Sequence, residues 1–269
     1  MANELAGQIA LVTGGGRGFG KAIAKAFAAE GACVTVTARS THQIDATVAE
    51  IKAAGGQALA VPGDVTHRKD VERVVNAAHS HFGPTTLLVN NAGLAGPFGP
   101  IGTLDPDEWW AAQAVHVRGP FLYMSAVLPE MIKRGAGRII NVASLGGTRV
   151  EPNLSAYCVG KATEIRLTEQ VAAEVKPHGI SAFAIEPGTV YTDMAEATIS
   201  DPDAQRYLPG MIEVLKQIKA NHDPALGLAR CARMCLDLAS GRYDVLSGRY
   251  LTPEDDFDAL ARQARAAAG

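Results

Sequence analysis

The sequence is short of the features that mark membrane, nucleic-acid-binding and metal-binding proteins. Its 269 residues carry a formal net charge of only −3, which gives no reason to expect a nucleic-acid or membrane surface. No apolar run approaches the ~20 residues that span a bilayer, and the first residues do not resemble a signal peptide. Of the four cysteines, Cys231 and Cys235 lack the two further ligands of a structural zinc site. We therefore predict a cytoplasmic protein without a metal, whose cysteines are small core residues.

Apolar residues make up 47% of the chain, and no Ser/Pro-rich linker or charge block divides it, so a single domain over residues 1–269 is expected. Short apolar runs alternate with helical patterns, as in a parallel sheet with helices on both faces. The strand-like runs lie near residues 8–13, 33–38, 57–61, 85–90, 138–143, 181–186 and 247–251. The predicted fold class is α/β, with a doubly wound parallel sheet of the Rossmann type.

A glycine-rich turn follows the first strand-like run. Thr13-Gly14-Gly15-Gly16-Arg17-Gly18-Phe19-Gly20 comes directly after Ile9-Ala10-Leu11-Val12, and a helical pattern follows it. Glycines tolerate positive φ and leave no Cβ between backbone and ligand, so a pyrophosphate can lie against the N–H groups of a helix N-terminus. The spacing Gly14-x3-Gly18-x-Gly20 differs from the G-x-G-x-x-G fingerprint of medium-chain dehydrogenases. The turn predicts a nucleotide site of another kind.

Tyr157 and Lys161 form the pattern that points most directly to chemistry. They stand four residues apart on an Ala-rich helical stretch, and side chains at i and i+4 share one helix face. A free tyrosine titrates near ~10, and a cation held nearby lowers that pKa. Tyr157 would then act as a general acid or base. Ser144, thirteen residues upstream at the end of an apolar run, supplies a hydroxyl for the same substrate oxygen.

Two further motifs complete a family resemblance. Asn90-Asn91-Ala92-Gly93 and Pro187-Gly188-Thr189-Val190-x-Thr192 each follow an apolar run, and with the two patterns above they resemble a classical short-chain dehydrogenase/reductase over nearly the whole chain. The resemblance implies reversible hydride transfer between a nicotinamide and a carbonyl/alcohol pair, with Tyr157 as acid/base. Lys161 would also hold the nicotinamide ribose, and Ser144 would position the substrate oxygen. The cofactor contacts it implies, beyond the 2′ end, are Gly14, Arg17, Gly18, Phe19, Gly20, Asn91, Ala92, Gly93, Tyr157, Lys161, Pro187, Gly188, Val190 and Thr192.

The end of the second strand bears on the form of the coenzyme. NAD enzymes of this type usually place an acidic residue there to bind the ribose hydroxyls, whereas this chain has Ala38, followed by Arg39 and Ser40. Arg17 and Arg39 could both reach a 2′-phosphate, and no carboxylate would repel it. We therefore predict NADP(H), with NAD(H) as the other possibility. Asp64-Val65, after the third strand, resembles the family's adenine-contacting pair, although Asp64 could instead cap the helix that starts near His67.

One position departs from the family pattern. In Ala114-Val115-His116-Val117-Arg118, the family leads us to expect asparagine where His116 stands. That asparagine anchors a water that links the lysine to solvent in a proton relay. A histidine both donates and accepts hydrogen bonds, but it is larger and can titrate near neutrality. Three interpretations stay open for His116: a preserved relay, a purely structural histidine, and impaired catalysis.

The substrate is weakly encoded beyond a small-molecule carbonyl or alcohol. The segment near residues 193–220 lies where the family carries a mobile substrate loop, which excludes water when it closes. Leu94, Leu145, Glu151 and Met194 lie close in sequence to the motif residues and are candidates for the pocket wall. Glu151 could engage a polar or cationic substrate group. The sequence names neither the substrate nor the physiological direction.

Two other functions compete with the oxidoreductase. One is a catalytically silent nucleotide-binding protein that senses redox state or serves as an interaction subunit; His116 is its support, and the intact set of Ser144, Tyr157 and Lys161 argues against it. The other is a nucleotide-sugar epimerase or dehydratase, which shares Tyr-x-x-x-Lys. Such a chain would usually be longer in its C-terminal half and would carry a different glycine turn.

The resemblance also implies a homo-oligomer, a tetramer or a dimer. Family members commonly pair their last strand and an adjoining helix across a two-fold axis, which leaves no exposed sheet edge. Here the interface strand would be 245–251, with the apolar stripe of the helical run 226–238 beside it. The alternative is that the acidic turn 253–256 and the Ala-rich tail beyond Asp258 fold over this edge within one subunit.

Overall fold

The computed structural model describes residues 3–268. Within them, seven strands form one sheet in the order β3-β2-β1-β4-β5-β6-β7, and every neighbouring pair is parallel. The strands are β1 (Ile9–Thr13), β2 (Cys33–Thr37), β3 (Gln57–Ala60), β4 (Leu87–Asn90), β5 (Gly137–Val142), β6 (Ile180–Ile185) and β7 (Tyr250–Leu251). The strand order reverses between β1 and β4. This is the doubly wound, Rossmann-type sheet that the sequence predicts.

Eleven α-helices connect or flank these strands in the described part of the chain. They are α1 (Gly18–Ala29), α2 (Thr41–Ala53), α3 (Arg68–Phe82), α4 (Pro106–Gln113), α5 (Gly119–Arg134), α6 (Ser155–Val175), α7 (Asp193–Ser200), α8 (Pro202–Tyr207), α9 (Pro209–Asn221), α10 (Pro224–Ala239) and α11 (Phe257–Ala268). A π-helical turn, Ala114–Arg118, joins α4 to α5. No helix within residues 3–268 has the length and apolar character to cross a bilayer.

The core lies on both faces of the sheet because alternate strand residues point to opposite sides. On β1, Ala10 and Val12 join a buried cluster with residues of α1, α2 and α10, whereas Leu11 joins a second cluster with residues of α3, α5 and α6. Burying one such side chain contributes roughly 1.5–3 kcal/mol. A sheet covered on both faces needs continuous apolar strands rather than alternating ones, which explains the short apolar runs in the sequence.

The predicted last strand, 245–251, is wrong over most of its length. Asp244–Leu246 form a 3-10 turn, and only Tyr250–Leu251 pair with β6. Gly248 has φ +88°, and its Cα faces the side chain of Ala172 on α6 of the same chain. The apolar residues of this segment therefore signal burial against the protein's own core rather than extended pairing.

The C-terminal helix packs on its own subunit. The rings of Tyr243 and Phe257 meet edge to face, with centroids 5.4 Å apart, and the Tyr243 hydroxyl lies 3.0 Å from Asp258 Oδ1. Ala261 is buried in the same cluster as Leu251. The first turns of the tail helix therefore pack within one chain, and this contact does not decide whether β7 also pairs with a second copy.

Candidate active site

The carboxyl ends of the central strands open into a cavity of about 590 Å³. Loops that follow neighbouring parallel strands meet at this edge of a doubly wound sheet. The sequence-predicted residues that line the cavity are Gly14, Arg17, Gly18, Phe19, Ala38, Arg39, Ser40, Asp64, Val65, Asn91, Ala92, Gly93, Tyr157, Lys161, Pro187 and Thr192. Residues from five separate loops and from α6 thus share one space.

The glycine turn and the Asn-Ala-Gly segment are bound to each other. Thr13 Oγ1 accepts hydrogen bonds from the backbone N–H groups of Asn91 and Ala92, at 2.9 and 3.1 Å. The Asn91 amide donates to the carbonyl oxygens of Thr13 and Gly14, at 2.9 and 3.2 Å. These bonds join the two loops that follow β1 and β4 across the cavity wall.

Glycine is required at two positions of the turn for different reasons. Gly14 has φ +64°, a left-handed conformation that side chains rarely adopt. A Cβ on Gly20 would collide with the Gly14 carbonyl and the Asn91 amide. Helix α1 begins at Gly18 without a side-chain cap, so its first N–H groups are available to an anion. This cradle fits a dinucleotide pyrophosphate.

Five predicted residues lie off the cavity wall. Gly20 closes the turn from behind, and Val190 packs against Gly227 on α10. The Gly188 N–H donates to Glu186 Oε1 at 3.2 Å, which shapes the loop after β6. Ser144 lies near the Tyr157 phenol, and the ring of the buried His116 meets the Tyr157 ring edge to face. These positions shape the cavity without forming its surface.

The region after β2 is open and positively charged. Arg39 and Ser40 are exposed, and Ser40 precedes α2 without capping it through its side chain. Arg17 Nη1 lies 3.1 Å from Asp193 Oδ2, at the start of α7, so this guanidinium already has a partner across the cleft. Asp64 Oδ1 accepts from Thr66 N and Thr66 Oγ1 at 2.9 and 2.7 Å, in a turn that precedes α3 rather than as its cap.

Helix α6 carries Tyr157 and Lys161 on one face, as the spacing predicts. Lys161 Nζ lies 5.9 Å from the centroid of the Tyr157 ring. Ser144 follows β5, and its hydroxyl accepts a hydrogen bond from Gly146 N at 3.1 Å and lies near enough to the Tyr157 phenol to lower its pKa. Tyr157 and Lys161 therefore line the cavity together, and Ser144 lies beside Tyr157.

The pKa of Tyr157 differs from the expectation. Burial raises it above the ordinary value and outweighs Lys161 and Ser144, which lower it. The carboxylates of Glu164 and Glu186 raise it further. Lys161 lowers the pKa of Tyr157 as the spacing predicts, but burial, which the spacing of two residues does not reveal, has the larger effect. Tyr157 therefore keeps its phenolic proton at neutral pH.

Glu164 is a residue of the site that the sequence reading missed. Lys161 Nζ donates to the Val142 carbonyl at 2.7 Å and to both oxygens of Glu164 at 3.0 and 3.1 Å. An acid three residues after a lysine on a helix is a signal for such a pair. Most such pairs are exposed, however, and sequence alone does not reveal that these residues are only 4% and 2% exposed.

His116 occupies the centre of the π-helical turn and is fully buried. Its Nε2 lies 2.9 Å from the Leu94 carbonyl; because a carbonyl only accepts, Nε2 carries a proton. Its Nδ1 lies 3.4 Å from Glu164 Oε1, and the ring meets Tyr157 edge to face at 5.6 Å. His116 thus contacts both Tyr157 and Glu164, and its role stays a prediction.

Gly160 makes room for His116, and this yields a stability prediction. A Cβ at Gly160 would lie 2.7 Å from His116 Cβ and 2.9 Å from Cγ, between two packed helices. We expect Gly160→Ala to lower the free energy of unfolding by about 1–3 kcal/mol through overpacking, measured by denaturant unfolding. Gly210→Ala is the control, because nothing lies within 4 Å of its Cβ position. Equal stability of the two variants would contradict the packing argument.

The segment near 193–220 forms α7, α8 and most of α9 beside the cavity. Asp193 and Met194 line it, while Leu208 and Ile212 pack with Phe98 and Leu154 in a separate buried cluster. Of the four candidate pocket residues, Leu94 and Met194 lie on the wall. Glu151 does not: it lines a neighbouring groove and pairs with Arg149 at 3.9 Å. Leu145 is 44% exposed and also lies off the wall.

The cavity has further lining residues that the sequence reading did not select. They lie between or beside the motifs and are small or lack reactive groups, so nothing in their type distinguishes them. They are Gly16, Gln43, Gly63, Val115, Val142, Ala143 and Asp193. Asp193 is the exception, because its charged side chain could pair with Arg17. Only the folded structure shows that these two residues meet.

Comparisons with known proteins agree with this geometry. The model of the short chain dehydrogenase family matches residues 8–203. A short chain dehydrogenase of Pseudocercospora fijiensis is 34% identical over 99% of this chain and 86% of its own length. A 3-oxoacyl-[acyl-carrier-protein] reductase of Synechocystis sp. is 38% identical over 75% of this chain and 81% of its own.

A solved structure extends the comparison to three dimensions. A metagenomic short-chain oxidoreductase, crystallised in complex with NADP, is 36% identical, has a TM-score of 0.66, and covers 70% of this chain and 85% of its own. The parallel sheet, the glycine cradle and the family match converge on one assignment. The chain belongs to the short-chain dehydrogenase/reductase family of oxidoreductases.

Proposed function

We propose that the protein transfers hydride between NADP(H) and a small carbonyl/secondary alcohol pair, with Tyr157 as the acid/base. The observation that carries this proposal is that Tyr157 and Lys161 line the cavity that also holds the glycine cradle, with Ser144 beside the Tyr157 phenol. A protein that only bound nucleotide would need the cradle, but it would have no use for a phenol, a hydroxyl and an ammonium placed together.

The residues divide the chemistry among them. The nicotinamide, when bound, supplies or accepts the hydride. In reduction, Tyr157 donates its phenolic proton to the substrate oxygen, and in oxidation the phenolate accepts a proton from the alcohol. The Ser144 hydroxyl hydrogen-bonds the same oxygen and stabilises the charge that develops there. Lys161 stabilises the phenolate electrostatically and would bind the nicotinamide ribose.

The preference for NADP(H) rests on charge at the end of β2. Ala38 leaves no carboxylate to repel a 2′-phosphate, and the exposed Arg39 and Ser40 lie on the cavity wall beside it. A guanidinium binds phosphate with charge-assisted, bidentate hydrogen bonds. Arg17 would join this site once it leaves Asp193. The NADP complex of the metagenomic relative is consistent with this coenzyme.

We further propose that residues 193–220 act as the substrate loop. Asp193 and Met194 reach the cavity, and the ion pair between Arg17 and Asp193 joins the loop to the glycine turn. Both partners are more than half exposed, so the pair is worth at most ~1 kcal/mol and opens readily. A loop held by such a contact can admit substrate and then exclude water.

The decisive experiment is a turnover assay. The purified protein is mixed with NADPH and a panel of ketones and aldehydes, and absorbance of the reduced nicotinamide is followed over time. We expect oxidation of NADPH with at least one carbonyl compound. Tight NADPH binding without turnover on any member of the panel, or with the corresponding alcohols and NADP, would favour the silent nucleotide-binding protein. Conversion of a nucleotide sugar without net change in NADPH would favour the epimerase.

A homo-oligomer, a tetramer or a dimer, and a cytoplasmic location are part of the same proposal. Because β7 is short and lies at the sheet edge, pairing across a two-fold axis would cover that edge. We expect light scattering to report two or four times the chain mass of 28.1 kDa at micromolar protein concentration. A mass of one chain would remove the oligomer from the proposal.

A further inference from the structure

Glu186 directly follows β6, and the proposed hydride transfer gives it no role. Its backbone N–H donates to the Leu251 carbonyl on β7 at 2.8 Å, next to the paired residues Ile185 and Leu251. Tyr250, also on β7, donates from its hydroxyl to Glu186 Oε2 at 3.2 Å. Two hydrogen bonds thus join this half-buried residue to the last strand of the sheet, one through its backbone and one through its carboxylate.

The same carboxylate joins two loops of the candidate active site. Glu186 Oε2 accepts a hydrogen bond from the backbone N–H of Leu145, the residue after Ser144, and Oε1 accepts from the N–H of Gly188 at 3.2 Å. The first loop carries the hydroxyl that is proposed to position the substrate oxygen. The second loop runs over residues 187–192 and contributes to the cavity wall. One side chain therefore bridges two loops of different proposed roles.

The hydrogen bond from Leu145 acts on Ser144 through the peptide group that joins them. A peptide group is planar, so a bond from the Leu145 N–H orients the whole plane that begins at the Ser144 carbonyl. Leu145 is the first residue of a 3-10 turn, and the N–H of a first residue has no partner within its own turn. The other contacts of Ser144 are internal to the turn, with Gly146 N and Gly147 N. Glu186 thus provides the bond from this turn to the loop after β6.

We propose that Glu186 is a positioning residue that joins the Ser144 turn to the loop over residues 187–192, and so sets the distance between the substrate oxygen and the nicotinamide. The inference rests on the proposed function, which assigns these loops to substrate and coenzyme. It deepens that function, because hydride transfer depends on alignment, and a misplacement of about 1 Å costs on the order of 100-fold in rate. A carboxylate suits this role since both of its oxygens accept hydrogen bonds.

The first test is Glu186→Gln, which keeps the length of the side chain. Its amide has one accepting oxygen, so it cannot serve the N–H groups of Leu145 and Gly188 together, and the two loops are no longer joined. We expect kcat to fall by roughly 10- to 100-fold, counted per NADPH-binding site so that unfolded protein does not contribute. Glu174→Gln is the matched control, an exposed acid near the far end of α6, and should keep its kcat.

The second test, Leu145→Pro, breaks the same link from the other side and keeps the charge of Glu186. Proline lacks the N–H and is favoured at the first residue of a helical turn, and Ser144, with φ −171° and ψ 155°, has the extended backbone that precedes a proline. Leu145 is 44% exposed, and Leu145→Ala, which retains the N–H, is the reference. We expect kcat of Leu145→Pro to lie roughly 10- to 100-fold below that of Leu145→Ala.

The double variant Glu186→Gln/Leu145→Pro shows whether the two changes remove one link. Substitutions at independent sites have additive effects, whereas those that break the same interaction do not. We expect kcat of the double variant to fall no further than that of either single variant. Losses that multiply in the double variant would contradict a shared link.

A further readout needs neither coenzyme nor turnover. Amide hydrogen exchange is measured on the coenzyme-free protein by mass spectrometry, with fragmentation to single residues. In wild type we expect the amides of Leu145 and Gly188 to exchange at least ~10-fold more slowly than unprotected amides, and at least one of them to lose this protection in Glu186→Gln. An unprotected Leu145 amide in wild type would overturn the inference, whether or not a variant folds.

The outcomes separate this inference from the proposed function. Wild-type turnover with kcat of Leu145→Pro equal to that of Leu145→Ala would overturn the positioning role and leave the oxidoreductase standing. A loss confined to Glu186→Gln would assign the effect to the charge of Glu186 and would also overturn it. If wild type turns over no substrate, the proposed function fails, and amide exchange then decides on its own whether Glu186 joins the two loops.

Discussion

Replacement of Tyr157 by Phe is expected to abolish turnover while NADPH still binds. The change removes only the hydroxyl, and the ring keeps its edge-to-face contact with His116. Without the phenolic proton, the oxygen of the reacting carbonyl has no acid to protonate it. General acid catalysis is worth roughly 10²–10⁴-fold, so kcat should fall by at least ~100-fold, measured from the disappearance of NADPH.

Tyr243→Phe is the matched control for this change. Tyr243 also uses its hydroxyl in a hydrogen bond, to Asp258 at 3.0 Å, but its neighbour Asp244 pairs with Arg138 at the amino end of β5, which is the edge of the sheet opposite the cavity. We expect Tyr243→Phe to keep its kcat. A Tyr157→Phe variant that retains most of its kcat would refute the assignment of the acid.

The second large effect concerns the coenzyme. The pair of substitutions Ala38→Asp and Arg39→Ser should shift the binding preference from NADPH to NADH by roughly 100-fold or more, from loss of charge-assisted bonds and the introduced repulsion. A carboxylate at residue 38 would bind the two ribose hydroxyls and repel a 2′-phosphate. Equilibrium titration of each protein with both coenzymes measures the shift.

The control and the wild type complete this experiment. Arg134→Ser removes an arginine at the end of α5, where it donates to the Pro84 carbonyl, at the opposite edge of the sheet, and should leave both affinities unchanged. The unmodified protein should bind NADPH more tightly than NADH. Equal or tighter binding of NADH by wild type would overturn the choice of coenzyme, even if the double variant behaved as expected.

Much of the fold is readable from the sequence because the sheet is buried on both faces. Runs such as Ile9–Val12 are continuous and apolar for that reason, and the predicted strands differ from the observed ones by one or two residues at most of their ends. The strand predicted at 245–251 is wrong because the valine and leucine residues of this segment suit a strand and a buried turn equally. The left-handed Gly248 and the turn at Asp244–Leu246 depend on packing against α6 and β6.

The candidate site, like the fold, could be predicted from the sequence only in part. The motif residues follow parallel strands, so topology alone brings them to one edge of the sheet, and most of them line the cavity. The contacts between motifs are different, because they depend on distances that no spacing encodes. The pair Arg17–Asp193 spans 176 residues of sequence. The raised pKa of Tyr157 reflects burial by surrounding elements, which a four-residue motif does not contain.

The reversal of strand order between β1 and β4 has a consequence for how the protein folds. Ala10 pairs with Leu87, so the centre of the sheet joins segments separated by more than a quarter of the chain, and such non-local parallel pairing forms slowly. Hydrogen bonds between Thr13 and Asn91 join the ends of these two strands, beside the glycine cradle. A dinucleotide bound there would hold the two halves together after they dock. We therefore expect bound coenzyme to lower the rate of unfolding, because it would hold β1 and β4 together.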